Sequence, residues 1–232
     1  MTLHVGTSGY SYPAWKGAFY PAKLPAKQFL RFYGSRFPAV EINSTFRAAP
    51  KPAALEAWAA EVPADFRFVL KAPQRITHIK RLKDVGDPLA QFLEVANTLK
   101  ERLGPVFFQL PPNMKKDATR LADFLALLPD GCRAAFEFRH PSWFDDETFA
   151  LLRDHGAALC VADADELEVP FVATADWGYL RLRRADYDDA ALATWAARIR
   201  KQTWREAFVF FKHEDEANGP RLASRLRELA AP

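Results

Sequence analysis

The chain has 232 residues and a formal net charge of +3, a mild basic excess that permits an acidic partner without requiring one. Its two cysteines, Cys132 and Cys160, exclude a disulfide framework and a four-thiolate metal site, and we expect both to be reduced. No uncharged apolar run reaches the ~18 residues of a membrane span, and the strand-like start MTLHVGTSGY leaves no room for a signal peptide, so we expect a cytoplasmic protein without a membrane partner.

Strand-like and helix-like segments alternate along the whole chain. The clearest helix has Asp87 as its expected N-cap, Pro88 at its first position and Gly104 as its expected terminator. A last helix is predicted to open at Gly219-Pro220. The stretch after the sixth strand, DADELEVPFVATAD, has no helical periodicity and predicts an irregular connection. The eight predicted strands cover residues 3–8, 39–44, 66–72, 105–110, 134–138, 157–162, 178–183 and 206–212.

This alternation predicts an α/β fold. Strands separated by helices run parallel, because each connection must cross back over the sheet. Eight such units close most economically as a (β/α)8 barrel of the TIM type, which usually takes ~250 residues. An open doubly wound sheet would show a glycine-rich phosphate loop after the first strand, and GTSG at 6–9 is too short for one. We therefore predict a single barrel domain over residues 1–232.

Polar residues concentrate near the carboxyl ends of the predicted strands, where barrel active sites are built. Parallel strands are buried on both faces, so these side chains are expected to face the barrel axis or its mouth. The cations outnumber the anions, which favours an anionic ligand. The residues are Glu41, Asn43, Lys71, Gln109, Glu137, Arg139, Asp163, Arg181, Arg183 and Lys212.

Two interpretations of these charges remain open. In one, they pair to fill the lumen, with Glu137–Arg139 and Glu41–Lys71 as candidate pairs. In the other, they form a site. The candidate catalytic residues are then Glu137, Glu41, Lys71, His140 and Asp163. The candidate substrate-binding residues are Tyr10, Trp15, Asn43, Gln109, Arg139, Trp143, Arg181, Arg183 and Lys212.

The loop after the first strand, YSYPAWKGAFY at 10–20, is rich in aromatic residues. Its rings either stack on a base or sugar, worth ~1–3 kcal/mol per base in single-strand binders, or plug the barrel. The plug is the favoured interpretation for Phe19 and Tyr20. Tyr10 and Trp15 remain candidates for ligand stacking, with Trp143 as a second wall.

Three kinds of chemistry fit the polar set. A phosphate site would use Arg181, Arg183, Arg184, Lys212 and the start of the last helix, although Glu214, Asp215 and Glu216 oppose it. Paired carboxylates would use Glu41 and Glu137, which we expect the lumen to hold well apart. There is no organic cofactor motif, and a divalent metal is possible but not favoured because cations crowd its candidate ligands. These are Glu41, Glu137, Asp163, His140 and His213.

Several motifs together resemble the YecE-like family, known as domain of unknown function 72. They are GTSGYSYPAWKGAFYP, FPAVEINSTF, KAPQRITH, VFFQLPPN, AFEFRHPSWF and GYLRLR, and they run nearly from end to end. The resemblance implies a TIM-type barrel and no established activity. Three departures stand out: RLRR at 181–184 replaces the usual RLHG, FKHED at 211–215 replaces an FNND ending, and Arg47 stands where an aromatic is common.

The favoured function is an enzyme, of hydrolase or isomerase type, that acts on a small anionic ligand. We expect a phosphorylated, ring-containing substrate such as a phosphate ester, and acid–base chemistry at the mouth. The alternatives are a nucleic-acid-binding or -processing barrel, possibly metal-assisted, and a non-catalytic ligand-binding protein. The substrate and the oligomeric state are not indicated by the sequence.

Overall fold

In a computed structural model, which describes residues 1–184, 186–212 and 215–231, eight parallel strands form one sheet in the order β1-β8-β7-β6-β5-β4-β3-β2. A bridge between Ser8 and Glu41, and a 2.7 Å hydrogen bond from the Gly9 N–H to the Glu41 carbonyl, join β1 to β2. The sheet is therefore a nearly closed barrel, and the predicted fold class is confirmed. The strands are β1 Thr2–Thr7, β2 Ala39–Ile42, β3 Arg67–Lys71, β4 Leu103–Gln109, β5 Ala134–Glu137, β6 Ala158–Asp163, β7 Trp177–Leu182 and β8 Glu206–Phe211.

Helices surround the barrel and connect its strands. The connection between β6 and β7 has no helix, as its lack of periodicity predicted. Among the described residues, no helix is long and apolar enough to cross a membrane. The helices are α1 Phe29–Gly34, α2 Pro52–Glu61, α3 Gly86–Ala96, α4 Ala118–Leu125, α5 Asp146–Asp154, α6 Asp189–Arg200 and α7 Asn218–Ala230, with several short 3-10 turns between them.

Strands β2 to β8 each contribute to two separate cores. Successive side chains point to opposite faces, so on β4 Phe107 packs in the lumen while Val106 and Phe108 pack against the helices. Phe107 stacks on Tyr179 across the lumen at 5.2 Å between ring centroids. The outer faces are therefore mostly apolar, and polar side chains that face inward share the lumen with these rings.

Two predicted helix ends are wrong. Asp87 lies inside the first turn of α3, because the helix begins at Gly86 with Val85 as its N-cap. Gly104 does not terminate that helix. It lies in β4, where Leu103 pairs with Phe68, and the chain reaches it through a short 3-10 segment at Asn97–Arg102. Strand pairing thus outweighs the local glycine signal, since tertiary contacts override propensity.

The loop after β3 has an irregular backbone at the carboxyl end of the barrel. It contains a π-helix, Arg75–Ile79, followed by Arg81, Leu82 and Asp84 with positive φ angles of 49°, 67° and 51°. Such conformations are costly for residues other than glycine, and they cluster at functional sites. This loop directly follows Lys71, the last residue of β3.

Candidate functional site

Arg181 lies at the centre of the polar cluster in the lumen. Its side chain is 2% exposed. Nη1 donates to Glu137 Oε2 at 2.6 Å, and Nη2 donates to Glu41 Oε1 at 2.9 Å. The expectation that the lumen would keep Glu41 and Glu137 well apart is therefore wrong, because one long side chain from β7 joins both carboxylates.

Both carboxylates are further satisfied within the cluster. Glu41 accepts from Ser8 Oγ at 2.7 Å, from Tyr179 OH at 2.6 Å and from Asn43 Nδ2 at 3.3 Å. Glu137 accepts from Arg139 Nε at 2.6 Å, so the predicted Glu137–Arg139 pair forms. Buried carboxylates without such partners would carry a large desolvation cost.

The partners of these carboxylates set their protonation. Burial raises the pKa of Glu137, but Arg181 and Arg139 outweigh burial and lower the pKa to about 2. The pKa of Glu41 is lowered in the same way, with Arg181 and Ser8 opposing burial. Both groups are therefore ionised at neutral pH, and neither is a proton donor there.

Lys71 differs from the other cations of the cluster. Its Nζ donates to Gln109 Oε1 at 2.8 Å and lies 4.4 Å from the centroid of the Phe46 ring. The predicted Glu41–Lys71 pair does not form, because Arg181 and Tyr179 occupy that carboxylate. Burial, reinforced by Arg181, lowers the pKa of Lys71 to about 8. A measurable fraction of this amine is neutral at physiological pH.

A cleft of about 510 Å³ opens at the carboxyl ends of β5, β6 and β7. Glu137, Arg139, His140 and Arg183 line it together with the irregular connection after β6. Arg183 is 18% exposed, and its Nη1 lies 4.0 Å from Glu137 Oε1. Its buried Nε has no hydrogen-bond partner among the described residues. Burial lowers the pKa of Arg183, and the charges of Arg181 and Arg139 lower it further.

The cluster carries more positive than negative charge. Arg139, Arg181 and Arg183 surround Glu137, with Lys71 nearby on β3 and Glu41 as the second carboxylate. These are four cations and two buried carboxylates, and the exposed Glu166 lines the same cleft as a third carboxylate. The composition of the strand ends predicted this excess of cations, and an anionic ligand stays a prediction.

Asp163 lies outside the lumen. Its neighbour Ala162 faces the axis, so Asp163 points the other way, towards the helices. There its carboxylate accepts from Arg184 Nε at 2.7 Å, Tyr187 OH at 2.9 Å and Trp195 Nε1 at 3.2 Å. The expectation that it faces the barrel axis or the mouth is therefore wrong. It stabilises the connection from β7 to α6, and it also occupies Arg184 of the expected phosphate site.

Most of the predicted aromatic wall is buried. Trp15 is fully buried and packs on Tyr12, with Phe19 and Tyr20 on its other sides. Phe19 and Tyr20 pack against α1, through Phe32 and Phe29, instead of plugging the barrel. The stacking role predicted for Trp15 does not fit its burial.

Trp143 also has no ring face open to a ligand. It is fully buried, lies 4.7 Å from the Phe138 ring, and donates from Nε1 to the Met114 carbonyl at 2.8 Å. The prediction that it forms a second wall is corrected. Tyr10 remains half-buried and lines a separate, smaller cleft of about 230 Å³ together with Asn43.

Two other predicted residues lie at the rim. His140 lines the cleft, but its Nδ1 accepts from the Ser142 N–H at 3.2 Å, which ties the ring to the turn that follows β5. Lys212 is exposed at the end of β8. His213 and Glu214, which belonged to the expected metal and phosphate sites, lie outside the described residues.

The candidate metal ligands do not converge. Glu41 and Glu137 are occupied by Arg181, while Asp163 and His140 point to other partners. Within residues 1–184, 186–212 and 215–231, no group of three His, Cys, Asp or Glu side chains is arranged to hold a metal ion. The described carboxylates of the lumen are instead paired with arginines.

The structure adds members that sequence reasoning missed. Tyr179 OH donates to Glu41, and the Phe107 ring lies 4.8 Å from the Arg181 guanidinium. Tyr179 precedes Arg181 by two residues on β7, so the same alternation that selected Arg181 places Tyr179 on its face. Phe46 carried no comparable signal, because it lies on the loop after β2.

These features define the class of protein: a (β/α)8 barrel with a buried, cation-rich cluster at the carboxyl ends of its strands. Residues 4–232 match the family model described as "Protein of unknown function DUF72", and the chain belongs to that family.

Individual relatives agree with this assignment. The chain is 32% identical to YecE of Escherichia coli over 143 residues, which are 61% of this chain but only 50% of that protein. It is 24% identical to YunF of Bacillus subtilis over 234 residues, 92% of this chain and 79% of that protein. A crystal structure of a DUF72 family protein from Thermotoga maritima is 28% identical, with a TM-score of 0.86 and 99% of each chain covered.

Proposed function

We propose that the protein is an enzyme that binds a small anionic substrate in the cleft at the barrel mouth and transforms it by acid–base chemistry. The favoured substrate is phosphorylated and contains a ring. A cytoplasmic location is part of the proposal, and both cysteines, Cys132 and Cys160, are free thiols.

The observation that carries the proposal is the state of Arg183. Its guanidinium is 18% exposed, its Nη1 lies 4.0 Å from Glu137 Oε1, and its Nε has no hydrogen-bond partner among the described residues. Since Glu137 is shared with Arg139 and Arg181, a further anion would add counter-charge where the arginines crowd together. Arginine binds carboxylate and phosphate oxygens through parallel N–H donors. The cleft leaves room for such an anion beside Arg183 and Arg139.

Lys71 is the group best suited to move a proton. A catalytic acid or base works best when its pKa lies near the operating pH, and the pKa of Lys71 is lowered to about 8. The pKa of Glu137, at about 2, makes that carboxylate a weak base. We therefore assign Glu137 and Glu41 to holding Arg181 in place, and proton transfer to Lys71.

A small ligand is favoured over a nucleic-acid strand. Single-strand binders offer aromatic faces on which successive bases stack. Here Trp15 and Trp143 are fully buried and offer none. The formal net charge of +3 is also modest for a protein that grips a polyphosphate.

Calorimetric titration with ribose 5-phosphate and with ribose tests the proposal. We expect the phosphorylated sugar to bind and ribose not to bind. Arg183→Met should weaken binding at least about tenfold, because a charge-assisted hydrogen bond is worth ~1.5–3 kcal/mol.

The matched control is Arg205→Met, which removes the same charge at the opposite end of the barrel, where the Arg205 side chain is 86% exposed. It should bind ribose 5-phosphate as the wild type does. Equal binding by Arg183→Met and the wild type would overturn the assignment of this cleft.

A further inference from the structure

We propose that Lys71 is a nucleophile that forms an imine with the carbonyl carbon of a small anionic aldehyde or ketone. The inference rests on the proposed function, because the cleft beside Arg183 is taken to hold the anionic end of the same molecule. It adds a covalent step and narrows the substrate class to carbonyl compounds.

The position of Lys71 supports a directed amine. Its backbone is held by the 2.7 Å hydrogen bond from Thr45 Oγ1 to its carbonyl and by strand pairing with Phe107. Nζ is oriented by the Gln109 oxygen and the Phe46 ring. Among the described carboxylates, none forms an ion pair with it. A lysine that only balanced charge in the lumen would be expected to contact one of the two carboxylates nearby.

Protonation of this lysine agrees with that role. Only a neutral amine attacks a carbonyl carbon. With a pKa of about 8, roughly a tenth of Lys71 is neutral at pH 7, against roughly 0.04% of a lysine with the reference pKa of about 10.4. Burial and the cationic neighbours of Lys71 produce this effect, a known means of activating a lysine.

The amine lies close to the residues of the proposed anion cleft, since the charges of Glu137 and Arg139 both act on the pKa of Lys71. Gln109, which accepts from Nζ, pairs in register with Glu137, and the Glu137 side chain lines the cleft with Arg183. Lys71 itself lies beside this cleft and not in its lining. The irregular loop after β3, from Arg75 to Asp84, lies next to this amine, where backbone strain accompanies function in other proteins.

The proposed step is balanced without a further reactant. The Lys71 nitrogen forms a bond to the carbonyl carbon as the C=O π bond breaks, and a proton passes from nitrogen to oxygen to give a carbinolamine. The hydroxyl group then leaves with a proton as water, and the C=N bond of the imine forms. Neither carbon nor nitrogen is oxidised or reduced.

Reductive trapping on the wild-type chain tests the inference. Glyceraldehyde 3-phosphate and glyceraldehyde are each incubated with the protein and sodium cyanoborohydride at pH 7, and modified lysines are located by peptide mass spectrometry. We expect Lys71 to be modified at least about tenfold faster than the exposed Lys115, and faster by the phosphorylated aldehyde. Inorganic phosphate should slow that reaction, and the rate should rise with a midpoint near pH 8.

The outcomes separate this inference from the proposed function. If both aldehydes modify Lys71 equally fast and ahead of Lys115, the imine inference stands and the anion cleft fails. If Lys71 reacts no faster than Lys115 although ribose 5-phosphate binds in the calorimeter, the imine inference is overturned and the anion cleft stands. Lys71→Arg, which keeps the charge, should lose the modification at this position, and Arg205→Met should keep it.

Discussion

Both ends of the lumen contain buried ionisable groups, but the two ends differ in the number and the arrangement of these groups. At the amino end, His4 lies 3.1 Å from Glu206 and stacks on Phe208 at 4.5 Å, and Arg133 pairs with the same glutamate. At the carboxyl end, three arginines and Lys71 surround two carboxylates.

This difference is consistent with a division between the two ends of a barrel, in which one end contributes to stability and the other forms the site. At the amino end Glu206 pairs with Arg133 and His4, and Arg67 lies near enough to lower the pKa of His4. Burial lowers the pKa of His4 most, which favours its neutral form, and His4 Nδ1 is buried without a hydrogen-bond partner among the described residues. The carboxyl end differs because its charges line an open cleft, where the Arg183 side chain is 18% exposed. Barrel active sites lie at the carboxyl end, and residues at the amino end contribute to stability.

The largest expected effect comes from removing the central cation. Arg181→Met would leave Glu41 and Glu137 buried without their main partner. The free energy of unfolding should fall by ~3–5 kcal/mol, the usual cost of breaking a buried ion pair. Urea denaturation at pH 7 measures it. Arg205→Met is the control and should change stability by less than about 0.5 kcal/mol; a similar small change in Arg181→Met would contradict the pairing.

Lowering the pH should reduce the free energy of unfolding by a comparable amount, because Glu137 becomes protonated. Its pKa is about 2 in the folded chain and 4.5 as the ordinary value, so the unfolded chain binds the proton more readily. This stability is fully present above about pH 4.5 and is lost as the pH falls towards 2, by up to about 3 kcal/mol. Urea denaturation across this range should show a shallower loss for Glu137→Gln. Parallel curves for the two proteins would argue against the assignment.

Replacing Lys71 is expected to raise the free energy of unfolding, by less than the replacement of Arg181 lowers it. Its pKa is about 8 when folded and 10.5 as the ordinary value, so folding works against its charged form below pH 8. Lys71→Met should therefore be more stable than the wild type at pH 7, by ~1–3 kcal/mol. This advantage should shrink between pH 8 and 10.5. A pH-independent difference in the unfolding free energy would show that packing, not charge, separates the two.

The smallest effect should come from the amino end. His4→Phe keeps an aromatic ring on Phe208 and leaves Glu206 paired with Arg133. We expect a change in melting temperature of only a few degrees, corresponding to less than about 1 kcal/mol, and unchanged binding of ribose 5-phosphate. If His4→Phe lost binding but kept its stability, the two ends of the lumen would be coupled. The amino end would then contribute to binding as well as to stability.

The sequence pattern correctly predicted which side chains share a face wherever alternation along a strand decides their direction. The pairs Glu41 with Asn43, Glu137 with Arg139, and Arg181 with Arg183 were assigned to common faces by period-two spacing, and they meet at the mouth. Asp163 shows the limit of that reasoning. Moving the strand end by one residue reverses the side of the barrel on which a side chain lies, and strand ends are the least certain part of a sequence-based assignment.

The sequence by itself determined the barrel, the missing helix after β6 and the surplus of cations at one end, because these follow from periodicity and composition. Only the tertiary structure decided which partner each charge takes. Arg181 spans the lumen to two strands that are distant in sequence, Lys71 is left with Gln109 instead of Glu41, and Trp15 turns inward. Such choices depend on side-chain length, direction and competition for shared acceptors in three dimensions, and no local pattern encodes them.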